Sequence, residues 1–285
     1  REDLLEEYVF FFRKIFEDKL LDVLDDNFKV LVDTANGATS AVAPKVFKAL
    51  GIKYDVINNT PDGININQNC GSTHIENLAK KVVEEGYSLG VAYDGDGDRC
   101  LCVDEKGNIM DGDIILAIVS DYLKKEGKLK NNTIVATVMS NLGLKKYCKD
   151  NDMQFVQTNV GDRYVLENML ENGYNLGGEQ SGHIIFLDYN PTGDGILTSL
   201  MLIEILLKSK KKASELASKI TIYPQVLVNA KVPSDKKYAY KEDEVIKAAI
   251  EKIEEEFSGN GRVLIRPSGT EPLVRVMIEG ENQKY

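Results

Sequence analysis

The stretch Asp94-Gly95-Asp96-Gly97-Asp98-Arg99 places three carboxylates at alternate positions, separated by glycines. Like charges this close disfavour ionisation, so the arrangement is unfavourable unless a cation joins it. Mg²⁺ and Ca²⁺ take oxygen ligands, and the glycines let the backbone curl so that all three carboxylates turn inward. The pattern therefore predicts a site for one divalent cation. Its candidate ligands are Asp94, Asp96 and Asp98.

Two other interpretations of this stretch stay open. One is a solvated acidic turn, because Asp and Gly commonly build turns. The other is an EF-hand loop, whose positions one, three, five and twelve would be Asp94, Asp96, Asp98 and Glu105. That loop requires Gly at position six, where this chain has Arg99, and its flanks predict strands instead of helices. A metal loop between two strands is therefore favoured.

A second polar loop, from Arg266 to Pro272, lies between two apolar stretches. Two arginines offer planar guanidinium forks that suit phosphate, and hydroxyl and backbone N–H groups in the turn can surround the phosphate oxygens. The alternative is an ordinary hairpin turn with a solvated arginine, since Pro-Ser-Gly-Thr is common turn chemistry. The candidate phosphate-binding residues are Arg266, Ser268, Gly269, Thr270 and Arg275.

A third loop, Gly177 to His183, is rich in glycine and polar residues. Glu179 and Ser181 alternate, so both can face one ligand, and their acceptors and donors suit sugar hydroxyls and an amino group. His183 is a candidate acid or base near neutral pH, although a single histidine more often only caps a strand. Arg163, at the predicted start of a helix, is a further candidate, although arginines there are usually solvated.

Apolar runs alternate with helical patterns along the first 221 residues, which predicts α/β layers with parallel or mixed sheets. The predicted strands are 28–33, 52–57, 88–93, 100–104, 133–138, 153–158, 175–178 and 183–187. The predicted helices are 4–24, 41–50, 75–85, 113–125, 142–149, 162–171 and 195–208. The metal loop follows the third strand, and the sugar loop follows the seventh.

The remainder of the chain differs in pattern. Strands are predicted at 223–232, 262–266 and 273–279, with one charged helix at 242–257. The predicted fold class is therefore two consecutive α/β domains, with mixed or parallel sheets, followed by a smaller α+β domain. The predicted boundaries are 1–108, 109–221 and 222–285, with a hinge near Ile220 to Pro224.

Composition excludes several classes of function. The chain has 285 residues and a formal net charge of −10, which argues against a nucleic-acid-binding surface. Its four cysteines include no C-x-x-C pair, which argues against a structural zinc site and fits reduced cytosolic thiols. No signal peptide or membrane span is predicted. Because the chain begins without Met inside a helical pattern, we expect it to be a fragment.

Taken together, the three loops resemble those of the α-D-phosphohexomutase family. The stretch 94–99 resembles its metal loop, 178–183 its sugar-recognition loop and 266–272 its phosphate-binding loop, in the same order. Gln180 and the stretches 61–67, 69–74 and 160–165 resemble the bacterial phosphoglucosamine mutases more than the phosphomannomutases. The resemblance covers the whole chain.

The resemblance implies a four-domain fold, of which this chain would hold the second, third and fourth domains. The first domain of the family carries a serine that is phosphorylated and completes the metal site, and no such motif occurs in this sequence. The fourth domain looks shortened after Glu279. Many members carry Lys before the Val-Gly at 160–161, where this chain has Asn159. A basic proton-shuttle role at that position is therefore in doubt.

The resemblance further implies an isomerase that interconverts glucosamine 6-phosphate and glucosamine 1-phosphate through a phosphoserine enzyme and a bisphosphate intermediate. This chemistry belongs to amino-sugar metabolism and cell-wall precursor synthesis. Mg²⁺ is the implied cofactor, with a sugar 1,6-bisphosphate as activator. The implied catalytic residues are Arg99 and His183, and the implied sugar contacts are Glu179, Ser181 and Arg163. The chain alone is expected to be inactive.

We expect a cytoplasmic protein that binds a small phosphosugar, binds neither nucleic acid nor membrane, and can form a homodimer. Two alternatives to the glucosamine reaction stay open. One is a mutase of the same family that acts on glucose or mannose phosphates. The other is a non-catalytic module that binds a sugar phosphate or a metal ion.

Overall fold

The structure is a computed structural model that describes residues 2–268 and 271–281. By its internal contacts the chain forms two units. The first comprises residues 1–140 and 144–220, and the second comprises residues 141–143 and 221–285. In the described residues, the first unit contains two mixed sheets with helices packed on them, and the second contains an antiparallel sheet and a long helix.

The first sheet has the strand order β2-β1-β3-β4-β5. Its strands are β1 (Lys29–Asp33), β2 (Lys53–Ile57), β3 (Leu89–Tyr93), β4 (Cys100–Asp104) and β5 (Ile109–Met110). The strands β2, β1 and β3 are parallel, whereas β4 and β5 are antiparallel to their neighbours. All residues of β3 are buried, as expected for a central strand covered on both faces.

The second sheet repeats this strand order. Its order is β7-β6-β8-β9, formed by β6 (Thr133–Thr137), β7 (Gln154–Thr158), β8 (Leu176–Gly178) and β9 (Ile184–Phe186). The first three are parallel and β9 is antiparallel to β8. The β8–β9 hairpin therefore occupies the same place in this sheet as the β3–β4 hairpin does in the first.

The residues that the structure describes form eight helices around these sheets. They are α1 (Glu2–Leu21), α2 (Thr39–Ala49), α3 (Glu76–Glu85), α4 (Gly112–Lys125), α5 (Leu142–Asp150), α6 (Asp162–Asn172), α7 (Gly195–Ser209) and α8 (Ala213–Ala217). Residues Gly195 to Leu207 of α7 are all buried, because this apolar helix packs against α1, α4 and the first sheet. Phe12, Phe16 and Leu20 of α1 are fully buried in the same core.

The second unit contains the sheet β10-β12-β11 and the helix α9 (Glu244–Phe257). The strands are β10 (Gln225–Lys231), β11 (Gly261–Pro267) and β12 (Leu273–Gly280), and both pairings are antiparallel. None of the residues of α9 is fully buried. A cavity of about 490 Å³, lined mainly by aliphatic side chains, separates this helix from the sheet.

The predicted fold class is confirmed, and most predicted elements lie within one or two residues of those observed. The short helix α8 and the strand β5 were not predicted. The helix α2 begins at Thr39, two residues before the predicted start at residue 41, and Pro44 lies inside it. The boundaries at 108/109 and 221/222 stay predictions. Among the described helices, none combines the length and the apolar character needed to cross a membrane.

Candidate metal and sugar-phosphate site

The metal loop lies at the carboxyl end of β3, beside the loop that follows its parallel neighbour β1. Crevices at such strand ends are the usual ligand sites of α/β sheets. The two loops touch, because the Ala38 N–H donates to the Gly95 carbonyl at 2.8 Å. A Cβ at Gly37 would lie 2.3 Å from the same carbonyl oxygen, so glycine is required for this approach.

The three aspartates of the metal loop converge as their spacing predicted. Asp94, Asp96 and Asp98 each offer a carboxylate oxygen, and these oxygens lie within 4.8 Å of one another. The Asp94 Oδ1 accepts hydrogen bonds from the backbone N–H groups of Gly97 and Arg99, both at 3.1 Å. This arrangement fixes the Asp94 carboxylate to the loop through its Oδ1.

Electrostatics at this centre favour a bound cation. Burial, together with the neighbouring carboxyls of Asp98 and Asp96, raises the pKa of the Asp94 carboxyl to about 7. The Asp98 Oδ1 is buried, and within residues 2–268 and 271–281 it has no hydrogen-bond partner. A divalent cation would satisfy this oxygen and relieve the repulsion. The three carboxylates therefore fit a hard divalent ion.

Arg99 closes the metal loop without fully neutralising it. Its Nε lies 4.0 Å from the Asp94 Oδ2, and its side chain is 44% exposed. An exposed guanidinium at this distance offers only a weak, screened interaction with the carboxylate. Arg99 is therefore available to a negatively charged ligand beside the carboxylate cluster.

The sugar loop is a tight turn at the tip of the β8–β9 hairpin. The Gly182 N–H donates to the Glu179 carbonyl at 3.0 Å, and the Glu179 N–H donates to the His183 carbonyl at 2.9 Å. Gly182 has a φ of 93°, a left-handed conformation that favours glycine. The turn presents Ser181 exposed and Glu179 half-buried.

The metal and sugar loops are joined to each other. Arg99 and His183 form an antiparallel β-bridge, and the Cys100 N–H donates to the Gly182 carbonyl at 3.1 Å. The helix α7 begins at the same place, because the Gly195 N–H donates to the Gly97 carbonyl at 2.9 Å. The two hairpins and the α7 start therefore form one framework for both loops.

His183 lies between the two loops and both of its ring nitrogens are engaged. The Gly193 N–H donates to Nε2 at 3.1 Å, so Nδ1 carries the proton that it donates to the Asp98 Oδ2 at 2.9 Å. The side chain is only 4% exposed. This geometry orients a candidate metal ligand, as outer partners of metal-binding carboxylates do.

The remaining predicted sugar contacts have different surroundings. The Glu179 Oε1 accepts a hydrogen bond from the Gly161 N–H at 3.0 Å, which ties the sugar loop to the start of α6. Gly161 is the N-cap of that helix. The side chain of Arg163 is 82% exposed, and its Nε lies 2.7 Å from the Glu167 Oε1. The role of Arg163 as a sugar contact stays a prediction.

The phosphate loop belongs to the second unit and joins β11 to β12. Arg266 and Arg275 are direct cross-strand partners, and like charges placed opposite each other destabilise a sheet. Arg275 lies 3.5 Å from Glu271, and the buried Arg266 Nε has no hydrogen-bond partner in the described part of the chain. An anion beside this pair would relieve the repulsion. Gly269 and Thr270 lie outside the described residues.

Ser268 is fixed at the start of this loop. It is 7% exposed, its N–H donates to the Leu273 carbonyl at 2.9 Å, and its Oγ accepts from the Glu271 N–H at 3.2 Å. The Ser268 carbonyl accepts a hydrogen bond from the Lys237 Nζ at 2.8 Å. Within the described residues no acceptor contacts the Ser268 hydroxyl proton, which can therefore be donated to a ligand.

Asp33 is a supporting residue that the sequence analysis did not single out. Its buried carboxylate accepts hydrogen bonds at 2.9 Å from the N–H groups of Ala35 and Gly71 and from the Asn58 side chain. Burial raises its pKa. It fixes the loops that lie against Gly95. The sequence signal that could have identified Asp33 is an acidic residue at the end of an apolar strand.

Three models of one protein family match nearly the whole chain. "Phosphoglucomutase/phosphomannomutase, alpha/beta/alpha domain II" matches residues 6–107, "alpha/beta/alpha domain III" matches residues 111–223, and "C-terminal domain" matches residues 227–285. The chain belongs to the phosphoglucomutase/phosphomannomutase family. The predicted resemblance is thereby confirmed, with the domains in the predicted order.

Curated relatives in this family are similar over most of the chain. A phosphoglucosamine mutase of Clostridium kluyveri is 58% identical over 268 residues, which cover 94% of this chain and 60% of that protein. A phosphoglucosamine mutase of Acetivibrio thermocellus is 57% identical over 284 residues, which cover 100% of this chain and 62% of that protein. The chain therefore spans about three fifths of the length of these relatives.

A solved structure confirms the fold. The Aspergillus fumigatus N-acetylphosphoglucosamine mutase, in complex with GlcNAc-6P and magnesium, matches with a TM-score of 0.76 and 20% identity. The match covers 94% of this chain and 61% of that one. At this identity the likeness shows a shared fold.

Proposed function

We propose that this chain is part of a phosphoglucosamine mutase, which interconverts glucosamine 6-phosphate and glucosamine 1-phosphate. The observation that carries the proposal is the junction of the metal and sugar loops through Arg99, His183 and Asp98. A phosphoryl group held at the carboxylate cluster would then lie beside the turn that presents Glu179 and Ser181. The identity of 57–58% to two phosphoglucosamine mutases supports the choice of sugar.

Mg²⁺ is the proposed cofactor, because three converging carboxylates fit a hard divalent ion. The ion would be held by Asp94, Asp96 and Asp98, and when bound it supplies positive charge that stabilises the transferring phosphoryl group. The solved relative from Aspergillus fumigatus contains magnesium, which agrees with this choice.

The protein's own residues bind and orient the sugar phosphate in this proposal. Glu179 and Ser181 accept and donate hydrogen bonds to sugar hydroxyls, while Arg99 provides a cation beside the transferring group. Arg266, Ser268 and Arg275 bind the phosphate that does not react, together with Gly269 and Thr270. Since different residues would bind the two phosphates in this proposal, one protein could accept the bisphosphate in either orientation.

We propose that a phosphoserine donates the phosphoryl group. In this family the serine lies in the first domain, whose motif does not occur in this sequence. The sugar then becomes a 1,6-bisphosphate, turns round, and returns its other phosphate to the serine. Both ring nitrogens of His183 make hydrogen bonds. We therefore assign His183 the role of positioning Asp98, in preference to a role in proton transfer.

The setting of this reaction is also proposed. The reduced state of four buried cysteines supports the cytoplasm, where disulfides are rare. The product would serve amino-sugar metabolism and cell-wall precursor synthesis. We also propose that the protein forms a homodimer. Analytical ultracentrifugation at micromolar concentration tests this, and a single boundary at the monomer mass would contradict it.

The test is a mutase assay with Mg²⁺ and glucose 1,6-bisphosphate as primer, run on this chain and on the protein at its full natural length. Glucosamine 6-phosphate, glucose 6-phosphate and mannose 6-phosphate are compared by kcat/KM. We expect turnover only at full length, with glucosamine 6-phosphate preferred. Preference for another sugar would indicate a different mutase of the family. Ligand binding without turnover in both forms would indicate a binding module.

A further inference from the structure

The segment 193–195, Gly-Asp-Gly, lies against the backbone of the metal loop and leads into α7. A Cβ at Gly193 would lie 2.7 Å from the Asp98 carbonyl oxygen, and a Cβ at Gly195 would lie 2.6 Å from the Arg99 carbonyl oxygen. Side chains at these two positions would therefore push the segment and the metal loop apart. The position of this segment and the position of the metal loop depend on each other.

Asp194, the middle residue of the segment, is 6% exposed, and both of its carboxylate oxygens accept hydrogen bonds. Its Oδ1 accepts from the Leu197 N–H at 2.9 Å and thereby caps α7. Its Oδ2 accepts from the Tyr8 hydroxyl at 2.5 Å. Hydrogen bonds to an ionised acceptor are stronger than those between neutral groups. Tyr8 therefore ties α1 firmly to the segment that lies against the metal loop.

The helix α7 also contacts the strand that leads into the metal loop. The Tyr93 hydroxyl and the Ser199 Oγ lie 2.8 Å apart, and both side chains are buried. Tyr93 is the last residue of β3 and immediately precedes Asp94. With the hydrogen bond from the Gly195 N–H to the Gly97 carbonyl, α7 contacts both the start and the middle of the loop. A shift of the α7 start would therefore displace the carboxylates.

We propose that Tyr8 is a positioning residue for the metal site and acts through Asp194 and the start of α7. This inference rests on the proposed function, because the carboxylates concerned are those proposed to hold Mg²⁺. Groups that bind a metal must be held within about 0.5 Å of their productive geometry. Direct outer partners of metal ligands contribute about 10–100-fold to metal affinity. Because Tyr8 acts through one further residue, its expected contribution is smaller, about three- to tenfold.

The first experiment is Tyr8→Phe in the protein at its full natural length, with Mg²⁺ binding measured by titration calorimetry. Phenylalanine keeps the ring contact with Phe12, whose centroid lies 4.8 Å away, and removes only the hydroxyl. The Kd for Mg²⁺ should rise about three- to tenfold. The Mg²⁺ concentration that gives half-maximal mutase activity should rise by the same factor.

The matched control is Tyr87→Phe, which removes a hydroxyl that donates to the Asp55 Oδ2 at 2.6 Å. This is the same kind of tyrosine–aspartate hydrogen bond, but it lies at the end of β3 opposite the metal loop. Tyr87→Phe should lower Tm without changing the Kd for Mg²⁺. The pair of variants therefore separates a role in positioning the metal site from a role in stability alone.

Hydrogen exchange in EDTA tests the positioning step without the metal. Loss of a hydrogen bond to a buried carboxylate should let the start of α7 open more often. The Gly195 and Leu197 amides should then exchange at least about tenfold faster in Tyr8→Phe than in the wild type. In Tyr87→Phe they should exchange at the wild-type rate.

A double variant tests whether Tyr8 acts through Asp194. Asp194→Ser keeps a hydroxyl that can cap α7, but serine is too short to reach the Tyr8 hydroxyl. Asp194→Ser should weaken Mg²⁺ binding at least as much as Tyr8→Phe does. If the two residues act as one unit, adding Tyr8→Phe to Asp194→Ser should change the Kd by less than about twofold.

Three outcomes would overturn the inference. An unchanged Kd for Mg²⁺ in Tyr8→Phe, with a loss of Tm like that of Tyr87→Phe, would show that the hydroxyl only stabilises the fold. Additive losses in the double variant would show that Tyr8 does not act through Asp194. If the wild-type protein binds no Mg²⁺, the metal site fails and the inference fails with it. Absence of mutase activity would instead refute the proposed function alone, since Mg²⁺ binding and hydrogen exchange are measured without sugar.

Discussion

The β3–β4 and β8–β9 hairpins occupy equivalent places in two sheets of the same strand order, yet their turns are stabilised differently. In the metal turn the buried Asp94 side chain accepts two N–H groups from within the loop, and the Gly95 and Gly97 carbonyls accept from neighbouring elements. The sugar turn has no such internal side-chain anchor among the described residues. Its side chains Glu179 and His183 bond to Gly161 and Asp98 in other elements, and its Gln180 carbonyl accepts from the Gly112 N–H. A change at Asp94 should therefore act mainly within its own loop, whereas the sugar turn should respond to changes in its neighbours.

The largest effect is expected where the two hairpins meet. Gly182→Ala forces alanine into a left-handed conformation and places its Cβ 2.4 Å from the Cys100 carbonyl oxygen. Strain and overpacking together should lower the free energy of unfolding by about 2–4 kcal/mol, measured by urea unfolding of the chain. Gly173→Ala is the control, because its φ is also positive but nothing lies within 4 Å of its Cβ. It should lose only about 1 kcal/mol, and equal losses would show that the hairpin contact is unimportant.

A smaller and more local effect is expected in the metal turn. Asp98→Asn removes one negative charge, while the amide oxygen can still accept the His183 hydrogen bond. Mg²⁺ should raise the Tm of the wild-type chain, and this rise should shift to at least about tenfold higher Mg²⁺ in the variant, since even outer partners of a metal contribute about 10–100-fold. Asp152→Asn at an exposed turn position should behave like the wild type. An unchanged Mg²⁺ response in Asp98→Asn would exclude the carboxylate cluster as the metal site.

Sequence reasoning was strongest where chemistry is local. Apolar runs and glycine-flanked polar loops located the strands, and the D-x-D-x-D spacing located the converging carboxylates, because neighbouring residues determine both. The short helix α8 and the Gly161 cap escaped prediction, since a five-residue helix and a glycine cap have weak sequence signals.

Contacts between distant residues could not be predicted in the same way. The His183–Asp98 hydrogen bond joins residues 85 positions apart, and it depends on how two sheets pack. The same holds for the Gly112 contact with the sugar turn, because nothing in the sequence near Gly112 indicates the Gln180 carbonyl. The residue types of the site were therefore predictable, whereas the partners that position them required the structure.

The raised pKa of the Asp94 carboxyl in the metal turn should make the stability of the chain depend on pH. The pKa of Asp94 is raised to about 7 in the folded chain from 3.8, so between about pH 4 and pH 7 the folded state holds a proton that the unfolded state has lost. Stability in EDTA should therefore fall as pH rises through this window. Because burial also raises the pKa of Asp33 and Asp194, the measurement is the difference in Tm between the wild type and Asp94→Asn.

That difference should grow from pH 4.5 to pH 7.5 in EDTA and shrink when saturating Mg²⁺ neutralises the ionised cluster. A difference that does not vary with pH would show that the Asp94 carboxyl titrates normally.

The smallest effect is expected in the phosphate loop of the second unit, which is stabilised partly from outside, as the sugar turn is. The neighbouring segment contacts both ends of the loop, because the Val232 N–H donates to the Pro272 carbonyl at 3.1 Å and the Lys237 Nζ donates to the Ser268 carbonyl at 2.8 Å. Lys237→Met removes one of these contacts. Since one hydrogen bond contributes about 0.5–1.5 kcal/mol, binding of inorganic phosphate should weaken roughly two- to tenfold.

Titration calorimetry of the chain with inorganic phosphate measures this effect, and Lys236→Met is the matched control. Lys236 is the adjacent lysine, and it is exposed, so its loss removes the same charge without removing a contact to the loop. Lys237→Met should weaken phosphate binding more than Lys236→Met does. Equal weakening would mean that the lysines act only through long-range charge, in which case 0.5 M NaCl should abolish both effects. A difference that persists at high salt would instead confirm that Lys237 holds the loop through the Ser268 carbonyl.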